Sequence, residues 1–171
     1  MDIKNQTVPV WTQMLGTLNG LLAKAEADER GDALLTAKLA DDMHPLAVQV
    51  RFVCNMPGEA IARLAGIEFE PDEDSPDTLV AARKKIAATI ADIKKWEEQD
   101  FIADNAPVEL TIPNRMVFDL SAAEYVRDWA LPQFYFHITT AYAILRREGL
   151  PIGKIDYVPY MMRHLRQSAE A

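Results

Sequence analysis

The sequence predicts an all-α protein, a four-helix bundle with a small β-hairpin inserted before the last long helix. Three observations carry that reading. Apolar residues recur at three- and four-residue spacing in four separate long stretches. The period changes to two in one short stretch between Ala106 and Leu120. Glycine or proline punctuates the joins. At 171 residues and 49% hydrophobic, without an internal repeat or low-complexity segment, the chain suits one domain over 1–171 with a proper core.

The first helix is read from Trp11, Met14, Leu15, Leu18, Leu21, Leu22 and Ala25, which share one face. Lys24, Glu26, Asp28, Glu29 and Arg30 follow, and Gly31 is expected to end it. After the link DALLTAKLADD, Pro45 suits a first helical turn, where its missing N–H would have no partner anyway. Asp41 and Asp42 suit the positive end of the same helix dipole. The second helix then runs along Leu46, Val50, Val53, Ile61 and Leu64 to Gly66. Pro57 and Gly58 interrupt it, but the apolar phase continues on both sides, which reads as one kinked helix with a break as the alternative.

The acidic stretch EFEPDEDSPD lacks the sixth-position glycine and twelfth-position glutamate of an EF-hand loop, so no calcium site is expected there. Ser75 is read as the cap and Pro76 as the first residue of a third helix. Its buried face is Leu79, Ala82, Ile86, Ile90 and Ile93, with Lys84, Lys85, Lys94 and Lys95 in solvent. In the hairpin, Val108, Leu110 and Ile112 alternate with polar residues, Pro113 and Asn114 turn the chain, and Met116 and Phe118 resume the alternation. Ser121 and Glu124 form a capping box for a short helix, and Pro132 restarts the chain into the last long one. Phe134, Ile138, Ala141, Tyr142 and Leu145 line its inner side, and Gly149 and Pro151 stop it. Beyond Lys154, Tyr157, Tyr160, Met161, Met162 and Leu165 make a tail apolar enough to dock on the bundle or on a second subunit.

Eighteen basic against twenty-six acidic residues give a formal charge of -8, which repels nucleic acid and anionic membrane alike. No basic leader with an apolar core opens the chain, and no run is long enough to span a bilayer, so a soluble cytoplasmic protein is expected. Cys54 is the only cysteine, which rules out an internal disulfide and a cysteine-rich zinc site. Within RFVCNM it reads as a small buried hydrophobe rather than a nucleophile. No strand–turn–helix elbow surrounds Ser75, Ser121 or Ser168, which argues against a serine nucleophile.

His137 is the focal residue. At about 100° per residue it lies about 60° around the helix from Phe134, beside Ala141 and Ile144, at the margin of the interior. An imidazole there needs partners for both nitrogens, and Gln49, Tyr142, Asp42, Thr139 and Thr140 are available. It reads first as a neutral, hydrogen-bonded core or pocket residue, then as a ligand contact or general base, then as a metal ligand. Tyr142 reads as a core phenol or as a pocket acid or anion contact. Arg146 and Arg147 suit the negative end of their helix dipole.

The segments LAKAEADERGDALLTAKLADDMHPLAVQVRFVCN, ARLAG, WALPQFYFHITTAYAILRREG and IGKIDY, in that order, resemble an uncharacterised bacterial family of the DinB-like (YfiT-like) superfamily of metalloenzymes. The resemblance covers nearly the whole chain. It implies an up-and-down four-helix bundle, a homodimer, and a site between helices at one end. Metal-using relatives hold a nickel- or zinc-type ion with a histidine early in the second helix and an HxxxH pair on the fourth. His44 matches the first and His137 one of the pair, but Gln133 and Ala141 stand where the other would be. His164 falls outside the pattern. In the resembled family an aromatic often stands at the position of His44 and a histidine at that of Arg147, which implies that metal binding is not its common property.

The sequence reading is therefore a DinB-like bundle without a bound metal, dimeric, with a pocket for an unidentified small molecule between the second and fourth helices, lined by His44, Gln49, His137 and Tyr142. The alternative is a nickel- or zinc-dependent hydrolase or low-molecular-weight-thiol transferase, with His44, His137 and Asp42 or Asp41 as ligands. A structural homodimer without a ligand is the third reading.

Overall fold

The computed structural model describes residues 3–113 and 115–166. Four long helices carry the core: α1 (Ile3–Glu26), α2 (Leu46–Ala65), α3 (Leu79–Lys94) and α5 (Leu131–Arg147). Shorter elements join them: a 3-10 turn Gly31–Thr36, strands β1 (Pro107–Thr111) and β2 (Val117–Ser121), helix α4 (Ala122–Glu124) and a π-helical stretch Tyr125–Ala130. A four-residue α6 (Lys154–Tyr157) and a 3-10 turn Pro159–His164 close the described chain. The protein is thus mostly helical with a two-stranded antiparallel sheet, and among the described residues it has more helical segments than the four long helices and one short one read from the sequence. α1 lies mainly along α3, and α2 along α5, around one shared apolar cluster.

The apolar faces read from periodicity are the ones that pack. Trp11, Met14, Leu15, Leu18, Leu21, Leu22 and Ala25 of α1 are all buried, as are Leu46, Val50, Val53, Ile61 and Leu64 of α2. The boundaries differ in four of the helices. α1 starts eight residues before Trp11 because Ile3, Thr7 and Val8 bury their side chains. That burial outweighs the backbone bond lost at Pro9 inside the helix. The helix also ends at Glu26, before Gly31. Pro45 is the N-cap of α2 rather than part of its first turn, leaving Asp41 and Asp42 exposed in the preceding connection. α2 continues through Pro57 and Gly58 without a break, and Gly66 at φ 66° closes it in the left-handed conformation that glycine adopts without strain.

The third difference is the start of α3. Thr78, not Ser75, is its cap: Thr78 Oγ1 accepts from Ala81 N at 3.1 Å, and Asp32 Oδ1 from the 3-10 turn accepts from Leu79 N at 2.7 Å. Two otherwise unpaired N–H groups are satisfied there, so the helix begins at Leu79 and Pro76 stays outside it. Thr78→Ala is expected to cost about 1 kcal/mol of stability, read as a lower denaturant midpoint at unchanged slope.

The fourth is at Pro132, which does not restart the chain. α4, the π-helical stretch and α5 follow without a gap, and Leu131 N bonds to Val126 O with the five-residue spacing of a π turn. Proline lacks the N–H for the preceding turn and its ring crowds a carbonyl there, a conflict that a widened turn relieves. The Ser121–Glu124 capping box upstream is present in both directions, at 2.9 and 3.3 Å. In the hairpin, Val108 and Leu110 are buried, but Met116 and Phe118 are largely exposed, so only β1 presents a clean inward face. Asn114 lies outside the described residues.

The tail docks on its own chain. Tyr157 O accepts from Thr17 Oγ1, the Tyr157 hydroxyl bonds Thr139 Oγ1 at 2.8 Å, and Lys24 pairs with Asp156 at 2.7 Å. Tyr157 and Tyr160 pack on the core, while Met161, Met162 and Leu165 face outward.

Candidate functional site

The site is assembled where the start of α2 meets α5. Arg147, at the end of α5, donates from Nη1 to the carbonyls of Lys38 and Leu39, the latter at 2.7 Å, and so ties the connection before α2 to α5. That is a more specific role than the dipole pairing read from the sequence, while Arg146 donates to Leu150 O at 3.2 Å. His44 stands just ahead of the Pro45 cap, and Gln49 lies in the first turns of α2 with its side chain in the interior.

Gln49 joins the two histidine-bearing elements. Its Nε2 donates to His44 O at 3.1 Å, which aims Oε1 the other way, toward His137 Nδ1 at 2.8 Å. An amide oxygen only accepts, so Nδ1 of His137 carries the proton and Nε2 keeps its lone pair. Burial, and secondarily the nearby His44, pulls the His137 pKa down to about 4, so the ring is neutral near pH 7. A fixed tautomer, a free lone pair and resistance to protonation make Nε2 a standing acceptor for a hydrogen-bond donor, or a base of low strength.

Aromatic rings frame it. Phe52, one turn beyond Gln49 on the same face of α2, has its centroid 4.8 Å from that of His137 and 5.5 Å from that of His44. The two imidazoles therefore lie against one shared ring, no farther apart than those distances combined. Phe136 meets His137 edge-on at 5.1 Å, and the Arg51 guanidinium sits 5.2 Å over Phe52. Neither phenylalanine nor Arg51 was picked out in the sequence reading. The three-residue step from Gln49 to Phe52 was the available clue, since it places both on one helical face.

Of the four sequence-derived pocket residues, the structure brings together His44, Gln49 and His137, and puts Tyr142 elsewhere. Five residues beyond His137, Tyr142 is turned about 140° around α5 and packs edge-on against Tyr157 at 5.6 Å. Its neighbour is the docked tail. Asp42 and Asp41 are exposed, and the Asp41 carbonyl accepts from Lys38 Nζ at 3.2 Å. His164 is in the tail, paired with Arg163.

The donor set does not fit a three-imidazole metal site. Only His44 and His137 approach each other, and Gln133 and Ala141 occupy the positions one turn from His137. Among the described residues no group of three or more His, Cys, Asp or Glu side chains is placed to hold a metal ion. Cys54, on a different face of α2, is buried with its thiol pushed up to about 11 by burial, which suits a packed hydrophobe and not a thiolate nucleophile at neutral pH.

The helical fold, with its small two-stranded sheet, is similar to that of a DinB-like protein. The crystal structure of a DinB family member protein from Shewanella denitrificans, at 1.83 Å resolution, superposes with a TM-score of 0.78 at 36% sequence identity, covering 91% of this chain and 90% of that one. The model of the domain of unknown function DUF1993 matches residues 3–158, and the chain belongs to that family. No curated protein matches the sequence.

Proposed function

We propose that this protein is a single-domain, up-and-down four-helix DinB-like bundle that binds a small molecule at the α2–α5 margin. His137 Nε2 accepts a hydrogen bond from the ligand, and Phe52 and Phe136 contact its apolar part. The carrying observation is the Gln49 relay, 2.8 Å to His137 and 3.1 Å to the His44 carbonyl, which presents one imidazole in one tautomer. A buried amide with both ends engaged is fixed in one orientation, and so it holds the His137 ring in one orientation as well. His44 flanks the ligand, and Tyr142 braces α5 from the tail side.

Phenol serves as the probe for this acceptor. Nitrogen-15 spectra of the full chain should show the His137 Nε2 resonance moving toward a hydrogen-bonded value on titration, and phenol binding followed by calorimetry should be lost in His137→Phe. Nickel and zinc titrations by calorimetry test the rival reading, in which His44, His137 and an aspartate hold a metal for hydrolysis or thiol transfer. Weak, non-stoichiometric heats are expected. One tightly held ion per chain, lost in His137→Ala at unchanged helicity, would replace the proposal with the metal-dependent one.

We further propose that the protein is a cytoplasmic homodimer. The support is the outward apolar group Tyr135 and Phe136 on α5 with Met161 and Met162 on the tail. Among the described residues no helix is long and apolar enough to cross a membrane. Sedimentation of Met161→Glu with Met162→Glu should give a monomer, and an unchanged species would remove the tail from the interface.

A further inference from the structure

A cavity lies on the other side of α2, against α3, and none of His44, Gln49, His137 or Tyr142 lines it. Its volume is about 360 Å³, within the range of small-molecule sites. Ile61, Ile93, Trp96 and Phe69 supply apolar and aromatic walls. Carboxylates of Glu70, Asp72 and Asp92 supply the rim, with Lys85 the single cation among the lining residues.

The extended segment between α2 and α3 forms one wall, and it is held at two points. Asp72 is the first: its N–H donates to Asn55 Oδ1 at 3.3 Å, its carbonyl accepts from Asn55 Nδ2 at 2.9 Å, and its carboxylate pairs with Lys85. Phe69 is the second. Its ring lies where a side chain at position 58 would stand, since a Cβ on Gly58 would come within 2.3 Å of the ring. Only a glycine in α2 admits the phenylalanine there, although Gly58 in a helix interior costs up to about 1 kcal/mol relative to alanine. Phe69 and Ile67 nevertheless remain 39% and 49% exposed, so this wall is seated without being absorbed into the core.

The charges select the occupant. Lys85 is already neutralised by Asp72, and Asp92 by the exposed Lys95 at 2.6 Å, while Glu70 adds a further negative charge at the mouth. The neighbouring Glu68, Glu73 and Asp74 outnumber the Arg51 guanidinium that bonds the Glu73 carbonyl, which leaves the segment net negative. An ammonium group at the rim gains from Glu70, whose charge neither lysine offsets, and from the faces of Trp96 and Phe69, whereas a carboxylate there is repelled. We infer that the α2–α3 cavity under Phe69 is a binding site for a small organic cation, an amine joined to an apolar or aromatic body.

The test uses the full chain with 2-phenylethylamine as probe and 3-phenylpropionate as its anionic counterpart, followed by calorimetry and by the assigned Trp96 indole N–H resonance. The amine should saturate one site per chain and move the Trp96 signal, and the anion should bind at least about tenfold more weakly. Ala88, exposed on the cavity wall, is changed to tryptophan to fill the space from outside the core, and Ala88→Trp should abolish binding. Glu70→Gln, a change at an exposed side chain, should weaken the amine about threefold or more while the melting temperature stays put. No saturable amine binding, equal affinity for the anion, or full affinity in Ala88→Trp would each overturn the assignment. These readouts do not involve His137, so their failure leaves the α2–α5 proposal standing, and the converse holds.

Discussion

Acidification from pH 6.5 to pH 4 is expected to remove about 1–2 kcal/mol of folding stability through His137, less than the full shift would give because the ring is only partly buried and solvent screens it. The pKa of its imidazole falls from 6.5 in the unfolded chain to about 4 in the folded one. Above pH 6.5 both states are neutral there and the residue adds no slope. Between 6.5 and 4 the unfolded chain takes up a proton that the folded chain refuses, so stability drops with falling pH. Below about 4 both states are protonated and this loss levels off. Asp28, Asp72 and Asp156, whose carboxyls are held low chiefly by hydrogen bonds to Arg30, Lys85 and Lys24, act in the other window. Their contribution is present above the ordinary carboxylate range and is lost below it, at lower pH than the histidine step. Urea melts at pH 7, 6, 5 and 4.5 separate the two. His137→Phe should flatten the slope between pH 6.5 and 4.5, and an identical slope in that variant would show that another group carries it.

Gln49→Leu should destabilise the protein by about 1–3 kcal/mol, although leucine is apolar and of similar size. The reason is what it leaves behind: His137 Nδ1 and the His44 carbonyl lose the one side chain that satisfies both. The variant should also release the tautomer, which nitrogen-15 chemical shifts report directly. Gln49→Glu makes the opposite change. A carboxylate beside Nδ1 stabilises imidazolium, so the His137 pKa should climb well above 4 and the acid slope should shrink. A pKa in the glutamate variant no higher than in the parent would mean that the 2.8 Å contact does not govern the ring.

Much of the fold was legible because burial follows a local rule. The inward faces of α1 and α2 follow from helical spacing alone, since a residue three or four positions along must share its neighbour's face. Ser121 and Glu124 were equally readable, a capping box being closed within four residues. Of the misplaced boundaries, the π turn ahead of Pro132 is a local effect of the ring, while the start of α3 is set by a partner distant in sequence. Asp32 moves the start of α3 to Leu79 from forty-seven residues away. Pro9 stays inside α1 because Ile3, Thr7 and Val8 around it are buried, which local propensity does not register, whereas α2 running on through Pro57 agrees with the apolar phase read on both sides of it. Lys85, read as solvated, is drawn to Asp72 and is only 19% exposed.

The site divides along the same line. By itself the sequence determined that His137 sits at an inner margin of α5, that Gln49 was available to meet it, and that a third imidazole one helical turn away is missing. Tertiary structure decided the rest: that Gln49 reaches back to His44 as well, that Phe52 stands between the two rings, and that the docked tail takes Tyr142 away from them. The physical reason is range. Periodicity and capping are set by neighbours within one or two turns, whereas a tautomer, a depressed pKa or a ring stack depends on atoms that only the packing of α2 against α5 brings within a few ångströms.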